Sequence, residues 1–207
     1  MREILDILLW GSQITAFIMA VIQWKNYKNT TERYFVFFLL YVLFTEFIGY
    51  MIPNLYHINS QFVYNIFITL SYSFYLYWFS CFLKRPKLIR LLCLLFFSSI
   101  VCSLIFEDFF QHLWGYAFKT GAVLFLYCAT LYYSDLLKQD AVINYLTSRK
   151  FWIISGLLIF HIGFLPLEML QRQKGIVSSL NYRMALTFLN TILYGFITFG
   201  FYAGSRH

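Results

Sequence analysis

The sequence predicts an all-α polytopic membrane protein, a seven-transmembrane helix bundle in which residues 1–207 form a single domain. Three observations predict this fold class. Seven apolar runs are each near or above the ~20 residues that cross a ~30 Å hydrocarbon core. Only 12% of the residues are charged, well below the roughly one quarter found in soluble domains. The segments between the runs alternate in charge and are too short to form a second domain.

The runs are predicted to be helices, because a helix satisfies its own backbone hydrogen bonds, as the lipid interior requires. The first run is predicted to be a retained helix, since it is longer than the apolar part of a typical signal peptide and no small-residue cleavage site follows it. The runs cover about 4–23, 34–52, 61–83, 88–106, 109–134, 151–169 and 180–203.

The distribution of basic residues predicts the orientation in the cell membrane. The second loop has no Lys or Arg, and the fourth has only Glu107 and Asp108. The positive-inside rule then places the N-terminus outside and the C-terminus in the cytoplasm. The basic residues are divided among short loops, which argues against nucleic-acid binding despite a net charge of +7. Arg172, Lys174 and Arg183 are exceptions in or beside the sixth, external loop. The basic residues of loops one, three and five are Lys25, Lys28, Arg33, Lys84, Arg85, Lys87, Arg90, Lys138, Arg149 and Lys150.

The sequence predicts no cofactor, no metal site and no catalytic residue. Its four cysteines lie within or at the ends of runs without a C-x-x-C pair, and its four histidines are scattered over separate segments. No nucleotide-binding loop or hydrolase motif is present in the sequence. Enzymatic activity is left open, because an intramembrane lipid enzyme needs no such motif.

A similarity between two parts of the chain suggests a repeat. Run two has Glu46 near its end, and run six has Glu168; each is followed by a loop with Asn and then a run rich in Thr, Ser and Tyr. This pattern is that of a 3+1+3 repeat of helices, as in some transporters. Chance similarity between aromatic-rich segments is the alternative.

Polar residues inside the runs are the candidate site residues, because each is costly in lipid unless it faces the bundle or water. Helical spacing gives each helix one polar stripe, such as Asp6 and Gln13 seven apart in the first run. Lys119 and His161 are each about ten residues into their runs, ~15 Å, which is near mid-membrane. The predicted ligand-binding residues are Glu46, Asn65, Lys119, His161 and Asn190.

These side chains are predicted to converge on a polar pocket open to the outside. Lys119 is expected to face the interior with an acidic partner, most simply Glu46, because a buried lysine without a partner would lose its charge. The alternative is that the polar residues only join the helices, since transmembrane hydrogen bonds add about 0.6 kcal/mol each on average.

The segment FTEFIGYMIPNLYHINSQFVYNIF, residues 44–67, resembles a group of small uncharacterised seven-span membrane proteins of Bacteroidetes. The resemblance rests on about fifty residues, with an acidic residue and tyrosine followed by an Asn-containing loop and then Tyr64-Asn65. Some members of the group accompany sensor-kinase genes. The resemblance implies a membrane sensing module and supplies no activity.

Two functions follow as expectations. The first is an integral membrane sensing or accessory module whose outward-facing pocket takes a small ligand, a lipid or a partner, with output through a membrane or cytoplasmic signalling partner. The alternative is a small-solute transporter, proton-coupled through Glu46, Lys119 and His161. In both functions the protein is embedded in the lipid bilayer.

Overall fold

The structure, a computed structural model, describes residues 2–138, 145–172 and 178–204. These ranges contain α-helices and two short 3₁₀ turns, Trp24–Asn26 and Tyr145–Thr147, and no strand. The all-α prediction is therefore confirmed. The seven helices are α1 (Arg2–Ile22), α2 (Arg33–Tyr56), α3 (Gln61–Ser80), α4 (Pro86–Phe106), α5 (Gly115–Leu137), α6 (Arg149–Arg172) and α7 (Ser179–Ala203).

Six of these helices are long and apolar enough to cross a membrane, so the chain is a multi-pass membrane protein. The helix outside that group is α3, whose sequence includes Asn65, Ser71 and four tyrosines. Nine of its 20 residues are buried within the protein. A helix shielded from lipid in this way needs less apolar surface than one that lipid surrounds.

The helix boundaries match the predicted runs closely except in the fifth. That run is predicted from residue 109, whereas α5 begins at Gly115. Asp108 Oδ1 accepts hydrogen bonds from the backbone N–H groups of Phe110 (2.8 Å) and Gln111 (3.1 Å). This local turn competes with helix formation, so the helix starts later than the apolar pattern predicts.

The chain divides into two compact units. The first comprises Met1–Leu39 and Asp140–His207, with α1, α6, α7 and the start of α2; the second comprises Leu40–Gln139, with the rest of α2 and α3 to α5. This grouping does not follow the two triplets of the predicted 3+1+3 repeat. The single domain over 1–207 stays a prediction.

In the first unit, α7 packs against both α1 and α6. Two glycines of α6 allow the close approach to α7. A Cβ at Gly156 would lie 2.7 Å from Phe196 Cβ, and one at Gly163 would lie 2.6 Å from Leu189 Cδ2. Both distances are shorter than real Cβ contacts, so larger residues would separate the helices. These contacts show that α6 and α7 are antiparallel.

In the second unit, α3, α4 and α5 pack together. The Tyr72 ring occupies the space that a side chain at Gly121 would need. Further along, Phe79 and Phe125 have ring centroids 5.6 Å apart, and Phe82 and Tyr132 are 5.8 Å apart. The helices α3 and α5 therefore run parallel and in contact along most of their length.

Candidate functional site

The five predicted ligand-binding residues fall in both compact units. Glu46, Asn65 and Lys119 belong to the second unit, and His161 and Asn190 to the first. Each group has its own geometry, and the local contacts of each residue indicate what its side chain can do. The role of the five as ligand contacts stays a prediction.

Asn65 is completely buried and holds the turn before α5. Its Nδ2 donates hydrogen bonds to the carbonyl oxygens of Phe109 (2.8 Å) and His112 (2.9 Å). Its Oδ1 accepts one from the backbone N–H of Trp114 (2.8 Å). Both hydrogens of the amide and one oxygen lone pair are thus engaged by the backbone, which is the arrangement of a structural tether.

The first turn of α5 is capped from α4. Glu107 accepts hydrogen bonds from the backbone N–H groups of Gly115 (2.9 Å) and Tyr116 (3.3 Å). Ser103 Oγ accepts one from the N–H of Ala117 (3.1 Å). A carboxylate is favourable there because the helix N-terminus carries partial positive charge. This end of the second unit is therefore held together by hydrogen bonds from side chains to the backbone at the start of α5.

Lys119 is exposed, and it is only four residues after the first residue of α5. At 1.5 Å per residue this is ~6 Å into the helix. Lys119 therefore lies near one end of α5, and not at its midpoint as the sequence pattern predicts. The ion pair with the half-buried Glu46 was predicted because Lys119 was expected to be buried. An exposed lysine keeps its charge without such a partner, so this reason for the ion pair no longer applies.

His161 is in the middle of α6 and is only 3% exposed. Its Nδ1 lies 2.7 Å from the carbonyl oxygen of Leu157. Because a carbonyl can only accept, Nδ1 carries the hydrogen in this contact. His161 is therefore a buried polar residue at mid-helix whose ring is held by the backbone of its own helix.

Gln13, His161 and Asn190 lie at one level of the three helices of the first unit. Asp6 of α1 pairs with Arg183 of α7. Gln13 lies seven residues after Asp6, and Asn190 lies seven residues after Arg183. The helices α1 and α7 run parallel, since Met19 and Thr198 line one groove further along. His161 joins this level because Gly163 of α6 lies against Leu189. We call Gln13, His161 and Asn190 the polar layer.

The Gln13 side chain lacks a hydrogen-bond partner at its oxygen. The residue is 1% exposed, and within the described ranges Oε1 accepts no hydrogen bond. A buried acceptor left without a donor costs about 1–3 kcal/mol. Asn190 is half-buried, and its Nδ2 donates to the carbonyl oxygen of Leu186 (2.9 Å). The polar layer thus contains one acceptor whose desolvation is uncompensated.

Charged and polar pairs lie about two helical turns from the polar layer on one side. Asp6 pairs with Arg183, and the Tyr182 hydroxyl donates to Glu168 Oε2 (3.0 Å). Seven residues of helix correspond to ~10 Å. On the other side most of the buried residues of the same helices are apolar, although Tyr194 carries a hydroxyl group. The apolar ones are Ala16, Ala20, Ile153, Ile154, Leu157, Leu193, Ile197, Phe201 and Ala203.

No family model, curated protein or solved structure matches the chain. The local chemistry of its own side chains is therefore the basis for a functional argument. Within the described ranges, no group of three or more His, Cys, Asp or Glu residues is arranged to hold a metal ion. Among the described residues, the polar layer is the group that offers polar chemistry near the middle of apolar helices.

A second polar contact in the first unit involves the turn between α1 and α2. The Tyr27 hydroxyl donates to the carbonyl oxygen of Ala20, and the Arg149 guanidinium lies 5.3 Å from the Tyr27 ring centre. Burial raises the pKa of Tyr27, and the nearby positive charge of Arg149 opposes that shift. Arg149 also donates to the carbonyl oxygen of Gly204 at the end of α7. This contact fastens the helix ends together.

The sequence did not single out Gln13 as a site residue. Its spacing of seven from Asp6 is a visible signal, and Ala16 and Ala20 extend the same face with small residues. Whether that face is buried depends on the packing of α1, which the run of apolar residues does not specify.

Proposed function

We propose that the protein is an integral sensing or accessory module of the cell membrane, which binds a small ligand, a lipid or a partner in the polar layer. The observation that carries this proposal is the placement of Gln13, His161 and Asn190 at one level near the middle of three packed helices. Polar groups at this depth are costly, and they commonly mark binding sites or pathways.

The proposed pocket opens to the outside. Support comes from the polarity on the two sides of the layer. Asp6, Arg183 and Glu168 lie on the side toward the predicted outer face, whereas most of the buried side chains toward the predicted cytoplasmic face are apolar. A polar ligand entering from the outer side would meet charged and hydrogen-bonding groups first.

We further propose seven spans, with the N-terminus outside and the C-terminus in the cytoplasm. The span in question is α3. It lies alongside α5 from the contact of Asn65 with Trp114 to the ring contact of Phe82 with Tyr132. Because α5 is apolar enough to cross the membrane, a helix that accompanies it over this length crosses as well.

Output is proposed to pass through a membrane or cytoplasmic signalling partner at the third loop. Arg85 pairs with Asp135 at 2.6 Å, which fixes the loop to the end of α5. Lys84, Lys87 and Arg90 are exposed. An exposed basic surface of this kind favours an acidic partner.

The experiment that tests the proposed function asks whether a substitution in the polar layer changes contact with a partner at the third loop. A photoreactive amino acid at position 87 would report the partner contact in native membranes. The Asn190→Leu variant, which removes a polar group of the layer, should change the cross-linking yield while leaving the amount of folded protein unchanged. Thr15→Val, on the exposed face of α1, is the matched control and should change neither.

The same purified protein in proteoliposomes distinguishes transport. A sensing or accessory module should move no solute alone. Solute flux that needs no second protein, and that responds to a pH gradient, would instead establish the proton-coupled transporter. Loss of cross-linking only in parallel with loss of folded protein would contradict both functions and leave the layer a packing device.

A further inference from the structure

We propose that a groove on the surface of the first unit binds one acyl chain of an anionic phospholipid, whose head group lies beside the basic loop between α1 and α2. The groove lies between residues 12–19 of α1 and residues 191–202 of α7. None of the three residues of the polar layer lines it. This lipid site is therefore separate from the polar layer and adds to the proposed function.

The groove has the length and volume of one lipid chain. Its sides extend over seven residues of α1 and eleven of α7, which correspond to ~10 and ~16 Å, and one leaflet of hydrocarbon is ~15 Å deep. Its volume is about 460 Å³. This is room for about 15 groups of ~30 Å³, the volume per molecule of liquid water, and a methylene group is of similar size. Because Thr15, Gly195 and Phe199 are exposed, the groove is open to the bilayer.

The hydroxyl groups of four lining residues donate to their own helices. Each donates to a backbone carbonyl oxygen three or four residues earlier, at 2.7–2.9 Å. A hydrocarbon chain can cover such a surface without leaving a polar hydrogen unsatisfied. A neighbouring helix joined through Ser and Thr hydroxyls would instead need those hydrogens. The four residues are Ser12, Thr15, Thr191 and Thr198.

The first loop packs against one end of the groove. The Tyr27 hydroxyl donates to the carbonyl oxygen of Ala20, and the Tyr27 ring centre is 4.9 Å from that of Phe201. Ala20 and Phe201 are each adjacent in sequence to a residue that lines the groove. Lys25 and Lys28, on either side of Tyr27, are exposed. Two lysines are therefore available at this end.

The charge of this loop favours an anionic head group. Positions 23–33 contain Lys25, Lys28 and Arg33, and one acidic residue, Glu32. Glu32 is only 6% exposed, and its negative charge acts on Arg149. The exposed surface of the loop is therefore positive. Basic residues beside a membrane surface attract anionic lipids.

The experiment fills the groove from a position where the bundle has room. A Cβ at Gly195 has open space, so Gly195→Leu should fold and place its side chain in the groove. Gly11→Leu is the matched control, because a Cβ there also has open space and Gly11 does not line the groove. Purified protein in detergent micelles would be titrated with dioleoyl phosphatidylglycerol, which is anionic. Dioleoyl phosphatidylcholine has the same chains and no net charge, and native mass spectrometry would count the lipids retained by each protein.

Saturable retention of one phosphatidylglycerol molecule, about tenfold tighter than phosphatidylcholine, is the expected result. Gly195→Leu should weaken retention of both lipids about tenfold, or ~1.4 kcal/mol, which corresponds to about two methylene groups displaced from the groove. Gly11→Leu should retain lipid as the wild-type protein does. Lys25→Gln combined with Lys28→Gln should remove the preference for phosphatidylglycerol and leave phosphatidylcholine retention unchanged.

Unchanged lipid retention in Gly195→Leu would overturn the proposal, as would equal retention of the two lipids by the wild-type protein. A preference that survives replacement of both lysines would overturn the placement of the head group. A protein dimer that Gly195→Leu dissociates, with lipid retention unchanged, would show that a second copy occupies the groove instead. Should Gly195→Leu fail to fold, Thr15→Phe fills the groove from α1 and has the same expected result. Cross-linking at position 87 decides the proposed function separately.

Discussion

Asp6 in α1 and Arg183 in α7 form an ion pair between residues 177 positions apart in the sequence. The pair accounts for one exception to the predicted charge distribution. Arg183 lies at the end of the bundle predicted to be outside, where basic residues are disfavoured. Because Asp6 neutralises it there, the arginine adds no net charge to that end.

Neutralising one member of this pair should destabilise the first unit. We expect Asp6→Asn or Arg183→Gln to lower the free energy of unfolding by about 0.5–1 kcal/mol, a small value because both side chains are about two-fifths exposed. The double variant should lose less than the sum of the two. Thermal and denaturant unfolding in one detergent would measure this cycle, and additive losses would show that the pair contributes nothing.

Asn65 should prove to be a structural residue. Asn65→Leu removes three hydrogen bonds to the turn before α5, and we expect a loss of about 3 kcal/mol at about 1 kcal/mol for each bond. Asn59→Leu is the matched control, because Asn59 is exposed and its side chain makes only long hydrogen bonds within the described residues, to the Gln111 carbonyl oxygen (3.3 Å) and from the Gln61 backbone N–H (3.2 Å). A variant at position 65 that keeps wild-type stability but loses ligand binding would instead establish the predicted ligand role.

Lys119 should tolerate neutralisation. Because the side chain is exposed near the start of α5, Lys119→Gln should change stability by less than about 0.5 kcal/mol, as for most surface substitutions. The buried ion pair with Glu46 predicts the opposite. In that case the single variant would lose about 3 kcal/mol, and Glu46→Gln in the same chain would restore part of it. Unfolding of the two variants distinguishes these outcomes.

The close contact of α6 with α7 should be sensitive to a single methyl group. At Gly156→Ala the new Cβ would lie 3.1 Å from the Leu193 carbonyl oxygen as well as against Phe196, and we expect a loss of about 1–3 kcal/mol. Gly195→Ala on α7 is the control, since a Cβ there has open space. Equal stability of the two variants would contradict the packing described for this helix pair.

The proposed orientation predicts the accessibility of the third loop. In a chain without its native cysteines, Lys87→Cys should react with a membrane-impermeant maleimide only after the cells are opened. Asn59→Cys, in the second loop, should react in intact cells. Labelling of position 87 from outside would refute the orientation, and labelling of both positions from the same side would show that α3 does not cross.

Much of the fold could be predicted because the length of an apolar run is a local property of the sequence. The bounds of α4 and α7 differ from the predicted runs by two residues or fewer. The fifth helix could not be placed as well. Its start depends on the turn that Asp108 forms and also on the side chain of Asn65, which holds that turn from more than forty residues away along the chain.

The candidate site was less predictable for the same physical reason. The late start of α5 moved Lys119 from mid-helix to near the helix end. His161 and Asn190 were recognisable as polar residues within apolar runs, but their common level follows from the register of α6 on α7. Gln13 completes that level only through the packing of α1 on α7.

The glycine contacts between α6 and α7 have a mechanical consequence. Gly156 and Gly163 receive side chains of α7 so closely that one helix cannot slide along the other without a collision. The two helices, each about 36 Å long, are therefore held at two points along their length. We expect a tilt of α6 between Gly156 and Gly163 to move the facing part of α7, from Leu189 to Phe196, in the same direction.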